Sequence, residues 1–160
     1  MNLNSIHNVY FIGIGGIGMS AIARYFNATG KNVEGYDKVA SEITSTLQNE
    51  GIKIHFEDDI NLVSEKFKNK KETLVVYTPA IQKNHSELLF FKINNYPILK
   101  RSEVLGEITK NSHCLAVAGT HGKTTTSAIL GHILKEADVN ATSFLGGISE
   151  NYNSNLILGG

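Results

Sequence analysis

Tryptophan is absent from this 160-residue chain, and cysteine, proline and methionine are scarce, with one, two and two copies. The single cysteine, Cys114, excludes an intrachain disulfide framework and a cysteine-based zinc site, and it suits a protein of the reducing cytoplasm. Surplus charge is missing too: fifteen Lys and Arg balance fifteen Asp and Glu, for a formal net charge of zero. A nucleic-acid surface needs a basic excess, so no nucleic-acid partner is expected. No run of apolar residues is long enough to span a bilayer, and no membrane partner is expected either. Residues Val9–Ala23 imitate a signal peptide, but no Lys or Arg precedes them and four glycines interrupt them, so this segment reads as folded and retained. What is present is a globular composition, 41% hydrophobic and 19% charged, with room for one medium domain or a small domain plus part of another.

Short β-branched or aromatic runs alternate with amphipathic ones. Asn8–Ile14, Asn32–Tyr36, Ile52–Phe56, Thr73–Thr78 and Pro97–Leu99 read as strands. Gly18–Thr29, Ser41–Asn49, Ser86–Asn94 and Ser102–Thr109 read as helices, with a weaker helical stretch near Asn61–Lys68. In the first helix Ala21, Ile22, Tyr25 and Phe26 form the expected inner face. This alternation implies right-handed crossovers, hence an α/β fold with a Rossmann-like, mainly parallel sheet and helices on both faces. A polar break at residues 110–113 precedes a new strand–helix–strand unit: Cys114–Ala118, Lys123–Ala137 and Val139–Leu145, the last ended by Gly146-Gly147. One such unit cannot bury its own core. We therefore expect residues 1–109 to form one nucleotide-binding domain and residues 110–160 the truncated start of a second, with looseness beyond residue 148. Cys114 is expected in the core, and Lys66, Lys68, Lys70 and Lys71 on a solvated loop.

Two glycine-rich turns carry the chemistry. Gly13-Ile14-Gly15-Gly16-Ile17-Gly18 follows a strand and opens a helix. Gly13 permits the tight turn, Gly15 lets a phosphate approach the backbone, and Gly18 allows close packing. The helix start offers unpaired N–H groups to a diphosphate. Asp37 ends the second strand, where a carboxylate accepts hydrogen bonds from ribose hydroxyls. The second turn, Gly119-Thr120-His121-Gly122-Lys123-Thr124-Thr125, also joins a strand to a helix and resembles a P-loop. Its N–H groups surround phosphates, Lys123 reaches the β/γ oxygens, and the Thr124 hydroxyl is a ligand for Mg2+. Its glycine comes two residues later than in the strict pattern, because position 117 is Val. His121 reads as a backbone-positioning or substrate-contact residue, with a catalytic base as the alternative, and the other histidines lack metal-ligand spacing.

The stretches FIGIGGIGMSAIARY, GYD, YTPAI, LKRSEVLGEI, LAVAGTHGKTTT and FLGGISENYNSN together resemble the amino-terminal part of the Mur ligase family, across essentially the whole chain. The first turn, lacking a cysteine, is most similar to the branch that joins L-alanine to UDP-N-acetylmuramate rather than the branch that ligates a whole peptide. The resemblance implies a UDP-binding domain, a central ATPase domain and a carboxy-terminal amino-acid domain. It places UDP-sugar on Gly15, Gly16, Ile17, Gly18, Asp37, Thr78 and Ala80, and ATP with Mg2+ on Gly119 through Thr125. Lys123 and Thr124 are then the catalytic members, and Arg101 and Glu103 match the family's Arg-x-Glu, a local structural pair. Glu57-Asp58 replace the Gly-His that the family carries near the uracil. The implied activity is a cytoplasmic, ATP-dependent ligase of peptidoglycan precursor synthesis, working through an acyl phosphate, with the L-alanine site and further metal ligands outside these residues. By itself this chain is expected to bind nucleotide without ligating. Two other readings stand beside it: an NAD(P)-binding oxidoreductase, from the first turn and Asp37 alone, and a non-catalytic nucleotide-binding module.

Overall fold

The computed structural model describes residues 3–110 and 112–159; Asn111 of the polar break lies outside them. Five parallel strands build one sheet: Asn8–Ile12 (β1), Asn32–Tyr36 (β2), Lys53–His55 (β3), Thr73–Tyr77 (β4) and Ile98–Lys100 (β5), in the order β3-β2-β1-β4-β5. The central strand β1 is buried along its whole length, which is why NVYFI is a continuous apolar run instead of an alternating one. Asn8 stands opposite both Asn32 and Thr73 at its two edges.

Successive residues of β1 point to opposite faces, and each face has its own core. Val9 and Phe11 join Met19, Ile22, Phe26, Leu47, Leu74, Val76 and Val104. This face is covered by helices α1 (Ile17–Ala28), α2 (Glu42–Asn49) and α4 (Arg101–Thr109). Tyr10 and Ile12 join Tyr36, Phe67, Val75, Leu88 and Phe91 under helix α3 (Ser86–Ile93). The expected helical stretch near Asn61–Lys68 is two short 3-10 turns, Ile60–Leu62 and Glu65–Lys68, which seat Val63 and Phe67 in that second core. Lys68 is bonded to Glu65 at 2.6 Å and Lys66 to Asn32 at 3.1 Å, so this basic loop is a solvated surface with local partners.

After α4 the chain departs from expectation. Residues 114–118 form no strand; Leu115 is 60% exposed and Cys114 is exposed rather than in the core. Strand backbone needs a neighbour to satisfy its N–H and C=O groups, and among the described residues no strand lies alongside. Helix α5 (Lys123–Glu136) is followed by strand β6 at Ser143–Ser149 and strand β7 at Ser154–Ile157, an antiparallel hairpin instead of a parallel unit. Gly146 and Gly147 lie inside β6 rather than ending it. The expected looseness beyond residue 148 is also not observed, because Asn155, Leu156 and Ile157 are buried.

The hairpin packs on the side of α1 that faces away from the sheet. Phe144 meets Tyr25 with ring centroids 5.5 Å apart, and Arg24 of α1 donates to Asn155 at 2.6 Å. Helix α1 is consequently buried nearly all round, at Met19, Ser20, Ala21, Ile22, Ala23, Arg24 and Phe26. Of its expected inner face, Tyr25 is the residue turned toward the hairpin, against Phe144.

Candidate functional site

The strand order reverses between β1 and β4, so the crevice at their carboxyl ends is where an open α/β sheet receives ligands. Two turns flank it. Gly13 adopts φ +90, and a Cβ there would lie 2.7 Å from Thr78 Cγ2. The turn after β4 is closed by Ile81 N–H donating to the Thr78 carbonyl at 3.1 Å. Thr78 is therefore seated against the glycine turn, and Ala80 is exposed at the rim.

Within the first turn, Gly13 and Ile14 donate to the Tyr36 carbonyl at 2.8 and 3.0 Å, which ties the turn to the end of β2. Gly16 is the N-cap of α1 in an extended conformation, φ −65 and ψ 143, without a side-chain cap. Ile17 and Gly18 open the helix, so their N–H groups have no intrahelical acceptor and lie at its positive end. This is the arrangement a diphosphate needs.

Asp37 and the glycines differ in detail from the sequence reading. Asp37 Oδ2 accepts the Gly15 N–H at 2.7 Å, and its Oδ1 accepts the Val39 N–H at 3.2 Å. The carboxylate that was expected to face ribose thus also braces the turn. Gly15 lacks room for a side chain because Asp37 Oδ2 and Thr44 Cγ2 each lie 2.9 Å from where its Cβ would be. At Gly18 the close neighbour is the Arg101 side chain, with Nη1 2.9 Å from the Cβ position, rather than a strand. Arg101 thereby brings a guanidinium to the mouth of the turn. Its sequence signal is the Arg-x-Glu pair, which the family resemblance implies is a local structural pair. Glu103 does act locally, accepting the Lys100 N–H at 2.6 Å at the start of α4.

The second loop leads into α5. Gly119 and Gly122 take φ +151 and +75, and Gly122 is the left-handed N-cap of the helix. Lys123 Nζ donates back to the carbonyls of Gly119 and Thr120 at 2.6 and 3.1 Å. The loop therefore curls around the ammonium through its carbonyl oxygens. Thr124 Oγ1 would lie 2.9 Å from a Cβ at Gly146, so this hydroxyl stands where the loop meets β6. Thr120, His121 and Thr125 are exposed along the same loop. A hydroxyl at the first turn of the helix and a lysine folded into the loop are groups that could hold a Mg2+–nucleotide.

A buried polar cluster lies on the other face of the sheet, unannounced by any motif. Tyr10 donates to Glu87 Oε2 at 2.6 Å, and His55 Nε2 stands 2.7 Å from Glu87 Oε1. Burial and the Glu87 carboxylate together push the Tyr10 hydroxyl far above its ordinary range. Asp58 accepts from Ser86 N–H, Ser86 Oγ and Glu87 N–H at 2.8, 2.6 and 3.1 Å. Burial alone would raise its carboxyl, but those donors and the His85 ring hold it below the usual carboxylate range. Asp58 is thus the acceptor at the start of α3, a structural use for one of the two residues that replace the family's Gly-His.

Residues 8–113 match the family model described as "Mur ligase family, catalytic domain". The chain is 64% identical over 157 residues to the UDP-N-acetylmuramate–L-alanine ligase of Flavobacterium psychrophilum, covering 98% of this chain and 35% of that protein. It is 55% identical over 158 residues to the enzyme of the same name from Parabacteroides distasonis, covering 99% and 34%. Among solved structures, the UDP-N-acetylmuramate–alanine ligase of Thermotoga maritima superposes with a TM-score of 0.82 at 33% identity, over 95% of this chain and 35% of that one. The ligase of Neisseria meningitides that takes UDP-N-acetylmuramate and a whole tripeptide gives the same TM-score at 26% identity, over 96% and 47%. The chain therefore spans about a third of the length of the curated relatives it matches, and the backbone alone does not separate the two branches.

Proposed function

The chain belongs to the Mur ligase family, and from that premise we propose that it is the amino-terminal part of an ATP-dependent ligase that joins L-alanine to UDP-N-acetylmuramate. Residues 1–109 serve as the UDP-sugar domain and residues 110–160 as the start of the ATP-binding domain. The observation that carries this reading is the second loop, Gly119–Thr125, with Lys123 folded into it at the start of α5. An NAD(P) oxidoreductase has no use for that loop, and the similar proteins named above are ligases.

In this reading the UDP diphosphate docks on the N–H groups of Gly16, Ile17 and Gly18, with the Arg101 guanidinium supplying positive charge from above. Thr78 and Ala80 line the crevice, and Asp37 holds Gly15 in place while facing the ribose. The loop N–H groups and Lys123 hold the triphosphate, and Thr124 is the residue that would ligate Mg2+, whose charge offsets that of the phosphates. The muramate carboxylate oxygen attacks the γ-phosphorus and ADP leaves, giving an acyl phosphate. The alanine amine then attacks the carbonyl carbon, phosphate departs and the nitrogen loses a proton. The part of the chemistry that falls to these residues is positioning and charge neutralisation. The lone cysteine suits a cytoplasmic site for this work.

Calorimetric titration with UDP-N-acetylmuramate, UDP and NADH tests the reading. Binding of both uridine ligands and not NADH is the expected result. Binding of NADH alone would overturn it.

A further inference from the structure

Acyl-phosphate formation requires the γ-phosphate and the muramate carboxylate to be held in one frame, so the two glycine turns must be mechanically connected. One element touches both. In the middle of β6, Gly146 and Gly147 pack on Thr124 so closely that a Cβ on the first would lie 2.9 Å from Oγ1 and one on the second 3.2 Å from Cγ2. On its other strand, Asn155 is wholly buried against the first turn of α1. Its Nδ2 donates to the Ile17 carbonyl at 2.6 Å and to Ser20 Oγ at 2.8 Å, while its Oδ1 accepts from Arg24 Nη1 at 2.6 Å. Arg24 is in turn fixed by Glu50 at 2.8 Å. The Nδ2 of Asn155 is thus directed at the turn that carries the Ile17 and Gly18 N–H groups, while its Oδ1 is held by Arg24 farther along α1.

We propose that the β6–β7 hairpin couples the two phosphate-binding turns, with Asn155 as the positioning residue that transmits the state of the Thr124 loop to the first turn of α1. The proposal rests on the assignment of the second loop to a nucleoside triphosphate. A residue that only stabilised the fold would change protection with and without nucleotide alike; a coupling residue changes the difference.

The test is hydrogen exchange of the residue 17–20 amides, with and without a non-hydrolysable ATP analogue and Mg2+, in this chain and in its Asn155→Ala and Ser20→Ala variants. The analogue is expected to slow exchange at those amides about fivefold or more in the native chain. It should do so less in Ser20→Ala, which removes one acceptor without emptying the interface, and not at all in Asn155→Ala. Should Asn155→Ala fail to fold, the Ser20→Ala result decides. Equal protection in native and variant chains would overturn the coupling, as would no response in the native chain. Calorimetric titration of the native chain with the same analogue keeps the two failures apart: no binding is a failure of the triphosphate assignment, whereas binding without a change in exchange is a failure of the coupling.

Discussion

A methyl group on Gly15 has nowhere to go. Its Cβ would stand 2.9 Å from both Asp37 Oδ2 and Thr44 Cγ2, well inside van der Waals contact. Asp37 has to rotate away, which breaks the 2.7 Å bond from the Gly15 N–H. A hydrogen bond to a charged group contributes about 1.5–3 kcal/mol, and the half-exposed position of Asp37 argues for the lower end. Displacing Thr44 adds about 1 kcal/mol of overpacking, since it is buried and closes the Ser41–Thr44 capping box of α2. Gly15→Ala is therefore expected to lose about 2–4 kcal/mol, read as a lower urea midpoint at unchanged slope. Gly16→Ala is the internal comparison, because the nearest atom to its Cβ is 3.7 Å away; as an N-cap change it should lose less than about 1 kcal/mol. If the two variants unfold at the same midpoint, the bracing of the turn by Asp37 and Thr44 is refuted.

Four further outcomes follow from named contacts. Tyr10→Phe leaves one oxygen of the buried Glu87 without its donor and should cost about 1–3 kcal/mol by denaturation; no loss would mean that water reaches that face of the sheet. Arg101→Ala should leave the urea midpoint within about 0.5 kcal/mol. The same change should weaken uridine diphosphate binding about tenfold and reduce its salt dependence, and unchanged calorimetric affinity would remove Arg101 from the site. Asp58 has its folded-state carboxyl held low, so its contribution is complete above the ordinary carboxylate range and disappears as pH falls through the depressed value; Asp58→Ala should flatten that acid limb, and an unaltered limb would refute the capping role. Lys123→Met should abolish binding of a triphosphate analogue in calorimetry with the thermal midpoint unchanged, and retained binding would sink the assignment of the loop.

The five-strand sheet and its helices were readable because each strand is a short β-branched run and each helix a separate amphipathic one. The central run NVYFI even announced burial on both faces. Both glycine turns were readable for a similar local reason, since turn residues and helix starts are set by neighbours in sequence. What escaped was decided by distant contacts. Gly146-Gly147 looks like a strand terminator, but its glycines answer to the close approach of Thr124 from α5. Asn155 sits in a polar, loop-like stretch, and its burial depends on Arg24 and Ser20, far earlier in the chain. The run at 114–118 has strand composition without a neighbouring strand. The Tyr10–His55–Glu87 cluster draws on three separate elements, and Arg101 reaches Gly18 from the start of α4.

Lys123 carries a consequence for turnover. Its ammonium already holds two carbonyls of its own loop, so a triphosphate bound there as proposed would compete with an internal partner that never diffuses away. The net affinity is the difference between phosphate and carbonyl as partners, smaller than a bare cation would provide. In exchange, a departing nucleotide would leave behind a lysine that its own backbone re-solvates. On the proposed function, such a loop would keep its shape between ligands and trade tightness of binding for speed of exchange.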